Sequence, residues 1–146
     1  MRGFFLATLL TCVTLCSGSI FGRTQSVAAI GTLFCGEEPA SNVRVKLVDE
    51  DDGPNPDDTL DAGYTDDEGK FRLSGSTSEF TSIDPRIKVY HDCNDHGLPC
   101  QKKWKIEIPD NYITKGKNPK YTYDMGNVNL EVDLDGQGRD CIHKRK

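Results

Sequence analysis

Two alternating runs in the segment from Asp84 to Ile113 constrain the fold more than any other stretch. Ile87 and Val89 alternate with Lys88 and Tyr90, and Trp104, Ile106 and Ile108 alternate with Lys103, Lys105 and Glu107. Between them lies a loop bounded by Cys93 and Cys100. A period of two puts successive side chains on opposite faces of an extended chain, so each run reads as a half-buried strand. The same period recurs elsewhere. Val27 to Cys35 is a first strand, and Val43, Val45 and Leu47 around Arg44 and Lys46 make a second. Thr59 to Thr65 gives a third, and Phe71 and Leu73 around Arg72 a fourth. Pro85 opens the fifth, and the Trp104 run is the sixth. Val128, Leu130, Val132 and Leu134 against Asn129, Glu131 and Asp133 form the cleanest alternation, a seventh. With no helical period, seven short strands require two packed antiparallel sheets, because a single sheet would leave one apolar face in water. The fold class is an all-β sandwich in one domain, without repeats or linkers.

The amino terminus sets the compartment. Met1 and Arg2 precede an apolar run of 13 residues from Phe4 to Cys16, followed by Ser17, Gly18 and Ser19. That length falls short of the roughly 20 residues that span a bilayer and suits a secretory leader. Cleavage after Gly18, with Gly22 as the alternative, leaves residues 19–146 as an exported domain, and no other apolar stretch is long enough for a transmembrane segment. Of six cysteines, Cys12 and Cys16 leave with the leader. Cys35, Cys93, Cys100 and Cys141 remain, and an even number in an exported chain reads as two disulfides. Three connectivities are possible, and sequence does not select among them. The closeness of Cys93 and Cys100 across a Gly-Leu-Pro turn favours that pair, leaving Cys35 to reach Cys141.

The same loop spells His91-x-Cys93-x2-His96-x3-Cys100, a zinc-like spacing. Export oxidises close thiols, so the disulfide reading outweighs the metal, and His91 and His96 become partly exposed loop residues, with His143 in the tail. No cofactor is indicated. Thr65-Asp66-Asp67-Glu68-Gly69-Lys70-Phe71 reads as a tight turn, with Gly69 at positive φ and the acids bonded to local amides. No phosphate loop, nucleophile elbow or H-E-x-x-H helix occurs, which speaks against an enzyme.

Charge is uneven. Glu37 to Glu68 holds 12 acidic residues against Arg44 and Lys46, a local balance of −10. Gln101 to Lys120 holds Lys102, Lys103, Lys105, Lys115, Lys117 and Lys120 against Glu107 and Asp110, a balance of +4. A basic pole on a chain of net charge −5 is either a solvated face or a site for an anionic surface. With Tyr112, Tyr121 and Tyr123 interleaved, these six lysines suit anionic phospholipid, such as phosphatidylserine, or sulfated glycan, with another face left for an extracellular receptor. Secretion and acidic net charge exclude nucleic acid. The acidic run Asp49 to Asp58 offers oxygens for calcium but lacks EF-hand spacing. A carrier of a small apolar ligand and a structural extracellular protein are the competing readings. No feature selects an oligomeric state.

Four stretches together resemble the nematode transthyretin-like secreted proteins over Arg23 to about Leu134: RTQSVAAIGTLFCGEEPASNVRVKLVDED, TDDEGKFRLSG, IDPRIKVYHDCND with PCQKKWKIEIPDNYITKG, and YDMGNVNLEV. The resemblance implies a prealbumin-like sandwich of seven to eight strands, secretion and no catalytic activity. The related hydroxyisourate hydrolases depend on a carboxy-terminal Tyr-Arg-Gly-Ser, which this chain lacks, ending instead in Cys141-Ile142-His143-Lys144-Arg145-Lys146.

Overall fold

A computed structural model describes residues 22–51, 53–54 and 56–142. The expected leader at 1–18 and the tail with His143 lie outside them. Among the described residues the chain forms ten strands: β1 (Arg23–Cys35), β2 (Glu38–Pro39), β3 (Arg44–Asp49), β4 (Asp58–Tyr64), β5 (Lys70–Glu79), β6 (Pro85–His91), β7 (Gln101–Glu107), β8 (Thr114–Lys115), β9 (Thr122–Asn129) and β10 (Gly138–Asp140). The expected sandwich is present. One sheet is built on β1, with β5 along one edge and β8 and β9 along the other; β2 pairs with its end. The second runs β10-β7-β6-β3-β4. All pairings are antiparallel except β1 with β9, which is parallel.

The alternation read from sequence sets which side chains meet between the sheets. Val27, Ala29 and Leu33 of β1 face Val45 and Leu47 of β3 and Ile87 and Val89 of β6 in one buried cluster, joined by Phe71, Leu73, Ile83, Ile108 and Leu130. Full burial of each large aliphatic side chain contributes about 1.5–3 kcal/mol.

The Thr65 to Phe71 turn carries the chain from β4 in the second sheet to β5 in the first. Gly69 has φ +76, and Asp66 Oδ1 accepts the amides of Glu68 and Lys70, both at 2.9 Å. Thr65 is buried; its hydroxyl donates to the Ala40 carbonyl at 2.6 Å and accepts the Val43 amide at 2.9 Å, fastening the turn to the start of β3.

Three expectations are corrected. The disulfides join Cys35 to Cys93 and Cys100 to Cys141, rather than Cys93 to Cys100 and Cys35 to Cys141. Cys35 continues the inward parity of Ala29 and Leu33, and Cys93 that of Ile87 and Val89, so the two meet across the sandwich. Cys100 and Cys141 adjoin Gln101 and Asp140, which are paired between β7 and β10. His91 is the last residue of β6 and 2% exposed, not a residue of an exposed loop. The run from Val128 to Leu134 is not one strand: β9 stops at Asn129, whose Oδ1 accepts the amides of Gly36 and Glu131, both at 3.0 Å. That side-chain turn ends the ladder, leaving Leu130 buried and Val132 exposed.

Candidate anion-recognition surfaces

The outward-facing residues of the second sheet begin as a repeated triplet. Arg44-Val45-Lys46 lies in β3, Arg86-Ile87-Lys88 in β6 and Lys103-Trp104-Lys105 in β7. The apolar residue of each triplet turns inward and both cations outward. Pairing aligns them into rows: Arg44, Tyr90 and Lys103 stand opposite one another, and so do Lys46, Lys88 and Lys105. Like charges directly opposite destabilise a sheet, and acids from outside the triplets offset them. Glu50 bridges Arg86 and Lys105, Asp57 pairs with Lys88, and Asp140 lies 3.5 Å from Lys103.

The outer face of this sheet is unusually dry. Val48 and Tyr90 are each 2% exposed and Lys88 is 7% exposed, although all three point away from the core. Around them is a recess of about 310 Å³ whose charged and phenolic walls are Lys46, Lys88, Lys103, Tyr90, Asp57 and Asp140. Burial, together with neighbouring Arg44, Lys88 and Lys103, lowers the affinity of Lys46 for its proton. Burial pushes the Tyr90 phenol up to about 12, so it stays protonated. The hydrogen bond from Lys105 holds Glu50 below the usual carboxylate range. Burial opposes ionisation of Asp57, but its hydrogen bond and charge pairing with Lys88 outweigh that and lower it.

The six lysines singled out by sequence therefore do not form one pole. Lys103 and Lys105 share this outer face. Lys102 has the opposite parity and stands between His91 and Arg139. Lys115, Lys117 and Lys120 belong to the other sheet, on and after β8, which pairs with the beginning of β1. There the Gly116 amide donates to the Thr24 carbonyl at 2.8 Å, and the Lys120 amide to Thr114 Oγ1 at 3.0 Å, folding the loop back on itself. Across β1, the Arg23 guanidinium donates to the Phe80 carbonyl at 3.2 Å. Phe80 is 74% exposed and Tyr121 58% exposed. Of the interleaved tyrosines only Tyr121 is free of the interior: Tyr112 and Tyr123 pack edge to face at 5.2 Å against the core. Among the described residues, no carboxylate lies within ion-pair distance of Lys115, Lys117 or Lys120.

Lys46, Lys88 and Tyr90 were hidden in sequence, Lys46 inside an acidic stretch. The triplet repeat was their signal, but its meaning depends on which strands pair. The acidic run is spent on protein partners: Asp49 is buried and accepts the Asp84 amide at 2.7 Å, and Glu50 and Asp57 hold cations. Cys93 and Cys100 sit in separate disulfides, which removes both thiols from the zinc-like motif.

The sequence model of the transthyretin-like family matches residues 30–109. Transthyretin-like protein 5 of Caenorhabditis elegans is 45% identical over 135 residues, covering 92% of this chain and 97% of that protein. Transthyretin-like protein 33 of the same organism is 41% identical over 140 residues, covering 95% and 98%. Transthyretin-like protein 46 is 51% identical over 125 residues, covering 85% and 70%.

Proposed function

The chain belongs to the transthyretin-like family, and from that premise we propose that it is a secreted, non-enzymatic protein that acts by binding. It recognises an anionic membrane surface, such as one containing phosphatidylserine, and presents its remaining faces to an extracellular receptor. The supporting observation is the end of the sandwich where β1 begins. Lys115, paired with Gln25 on one side of β1, is followed by Lys117, Lys120 and exposed Tyr121, and on the other side of β1 Arg23 bonds the carbonyl of exposed Phe80. Aromatic rings at head-group depth and lysines above them are the two elements of peripheral membrane contact, the lysines contributing about 1 kcal/mol each near an anionic leaflet. Lys103 and Lys105 are less available, since Asp140 and Glu50 already engage them. Two disulfides accord with an oxidising, extracellular setting.

Co-sedimentation with neutral and phosphatidylserine-containing vesicles, at low and physiological salt, tests this reading. The oxidised protein should bind only the anionic vesicles, more weakly as salt rises, and Lys115→Glu/Lys117→Glu/Lys120→Glu should lose binding. Equal retention on both vesicle types, or an unaffected triple variant, would refute it. Binding to sulfated glycan alone would move the target from membrane to matrix.

A further inference from the structure

We propose that Cys141 is a thiolation site, at which a low-molecular-weight thiol exchanges into the Cys100–Cys141 disulfide and is carried by the chain as a mixed disulfide. The inference rests on a chemical difference between the two bridges. It does not depend on membrane binding by Lys115, Lys117 and Lys120.

Access separates the bridges first. Cys141 directly follows the three-residue β10 and is exposed, and Cys100, just before β7, is half-buried. Cys93 is 8% exposed and belongs to the buried core cluster, with Cys35 packed against it. A recess of about 410 Å³ does reach the inner bridge, with Cys35, Cys93 and His91 in its lining. The leaving group then decides between the two, because exchange is faster when the departing thiol has the lower pKa. Attack on Cys35 from that recess expels Cys93 as a thiolate inside an apolar cluster, and such burial raises a thiol's pKa. Attack on Cys141 expels Cys100, which is partly open to water and close to cations. The Arg139 guanidinium donates to the Cys100 carbonyl at 2.7 Å. Lys102, two residues after Cys100, stands opposite Arg139. Arg139 shares its charge with Asp95. Lys102 makes no ion pair among the described residues and keeps its charge for the thiolate. Positive charge near a sulfur favours its ionised form.

The step balances as one disulfide for another. The incoming thiolate sulfur attacks Cys141 Sγ and forms the new S–S bond as the bond to Cys100 breaks. The electron pair leaves on Cys100 Sγ, which takes a proton from water. No oxidant is consumed, and the reverse attack by Cys100 releases the thiol again. The Cys35–Cys93 bridge still joins the two halves of the sandwich throughout, so opening the outer bridge does not require unfolding.

The test incubates the oxidised protein with reduced glutathione in native buffer, traps free thiols with N-ethylmaleimide at timed intervals, and maps the products by mass spectrometry. The expected species carries glutathione on Cys141 and maleimide on Cys100, with Cys35 still linked to Cys93. Opening of the outer bridge should be at least about tenfold faster than opening of the inner one. Lys102→Gln should slow it by about twofold or more, through the leaving group, and the triple variant at Lys115, Lys117 and Lys120 should react at the wild-type rate. Opening of both bridges together, earlier opening of Cys35–Cys93, or glutathione recovered on Cys100 in place of Cys141 would each overturn the proposal. So would a Cys100–Cys141 bridge that resists glutathione until urea unfolds the chain. The wild-type product map decides the question even if Lys102→Gln fails to fold.

Discussion

Leu33 and Gly69 are clasped backbone to backbone. The Leu33 amide donates to the Gly69 carbonyl at 2.8 Å, and a Cβ built on Gly69 would stand 2.2 Å from the Leu33 carbonyl oxygen. That oxygen also accepts the Ala40 amide at 2.8 Å, so β1, the β2 corner and the crossover turn meet at one carbonyl.

Gly69→Ala should therefore cost more than an ordinary turn substitution. The φ of +76 adds about 1–2 kcal/mol for a residue with a side chain, and the clash with backbone adds to it because neither strand can withdraw without breaking its ladder. Urea unfolding should show a loss of at least about 2 kcal/mol with an unchanged m-value. A loss below 0.5 kcal/mol, within the ordinary range for surface changes, would mean that the clasp relaxes freely.

His91 should make the domain sensitive to mild acid. Its Nδ1 accepts the Cys93 amide at 3.2 Å, which assigns the proton to Nε2, donated to Gln137 Oε1 at 2.9 Å. Burial lowers its pKa below the ordinary value of 6.5. Below pH 6.5 the unfolded chain takes up a proton that the folded chain refuses, so stability is fully present above about pH 6.5 and falls from there down to the lowered folded value. The slope cannot exceed about 1.4 kcal/mol per pH unit for one group. Urea midpoints from pH 7.5 to 5.5 should fall in the wild type and be flatter in His91→Asn. Coincident slopes would show that other groups carry the acid sensitivity.

Peptide mapping under non-reducing conditions should recover Cys35 linked to Cys93 and Cys100 linked to Cys141. Their sequence separations of 58 and 41 correspond to about 4 kcal/mol each in the chain-entropy account. Cys35→Ala/Cys93→Ala unties the two sheets and should lower stability globally, whereas Cys100→Ala/Cys141→Ala should mainly free the three-residue β10 and raise hydrogen exchange there. A recovered peptide joining Cys93 to Cys100 would contradict the connectivity.

Much of the fold was legible because a strand writes its two faces directly into sequence. Val45 and Leu47, Ile87 and Val89, and Trp104 and Ile106 announced the inward face. Gly69 and Asp66 announced a turn, since its bonds close within five residues. The same local signal misled at Val128 to Leu134, where alternation continued although the Asn129 side chain had already ended the strand.

What the sequence by itself determined was therefore strand content, sandwich class, family resemblance and the four oxidisable cysteines, all properties of neighbours along the chain. What only the tertiary structure decided was which distant residues share a face. Cys93 lies near Cys100 in sequence but points inward toward Cys35, and the cations of Arg44 to Lys46, Arg86 to Lys88 and Lys103 to Lys105 become one grid only when β3, β6 and β7 pair in register. The six lysines that formed one pole in sequence were divided between two sheets for the same reason: distance in a sandwich is set by strand order, which short-range periodicity does not encode.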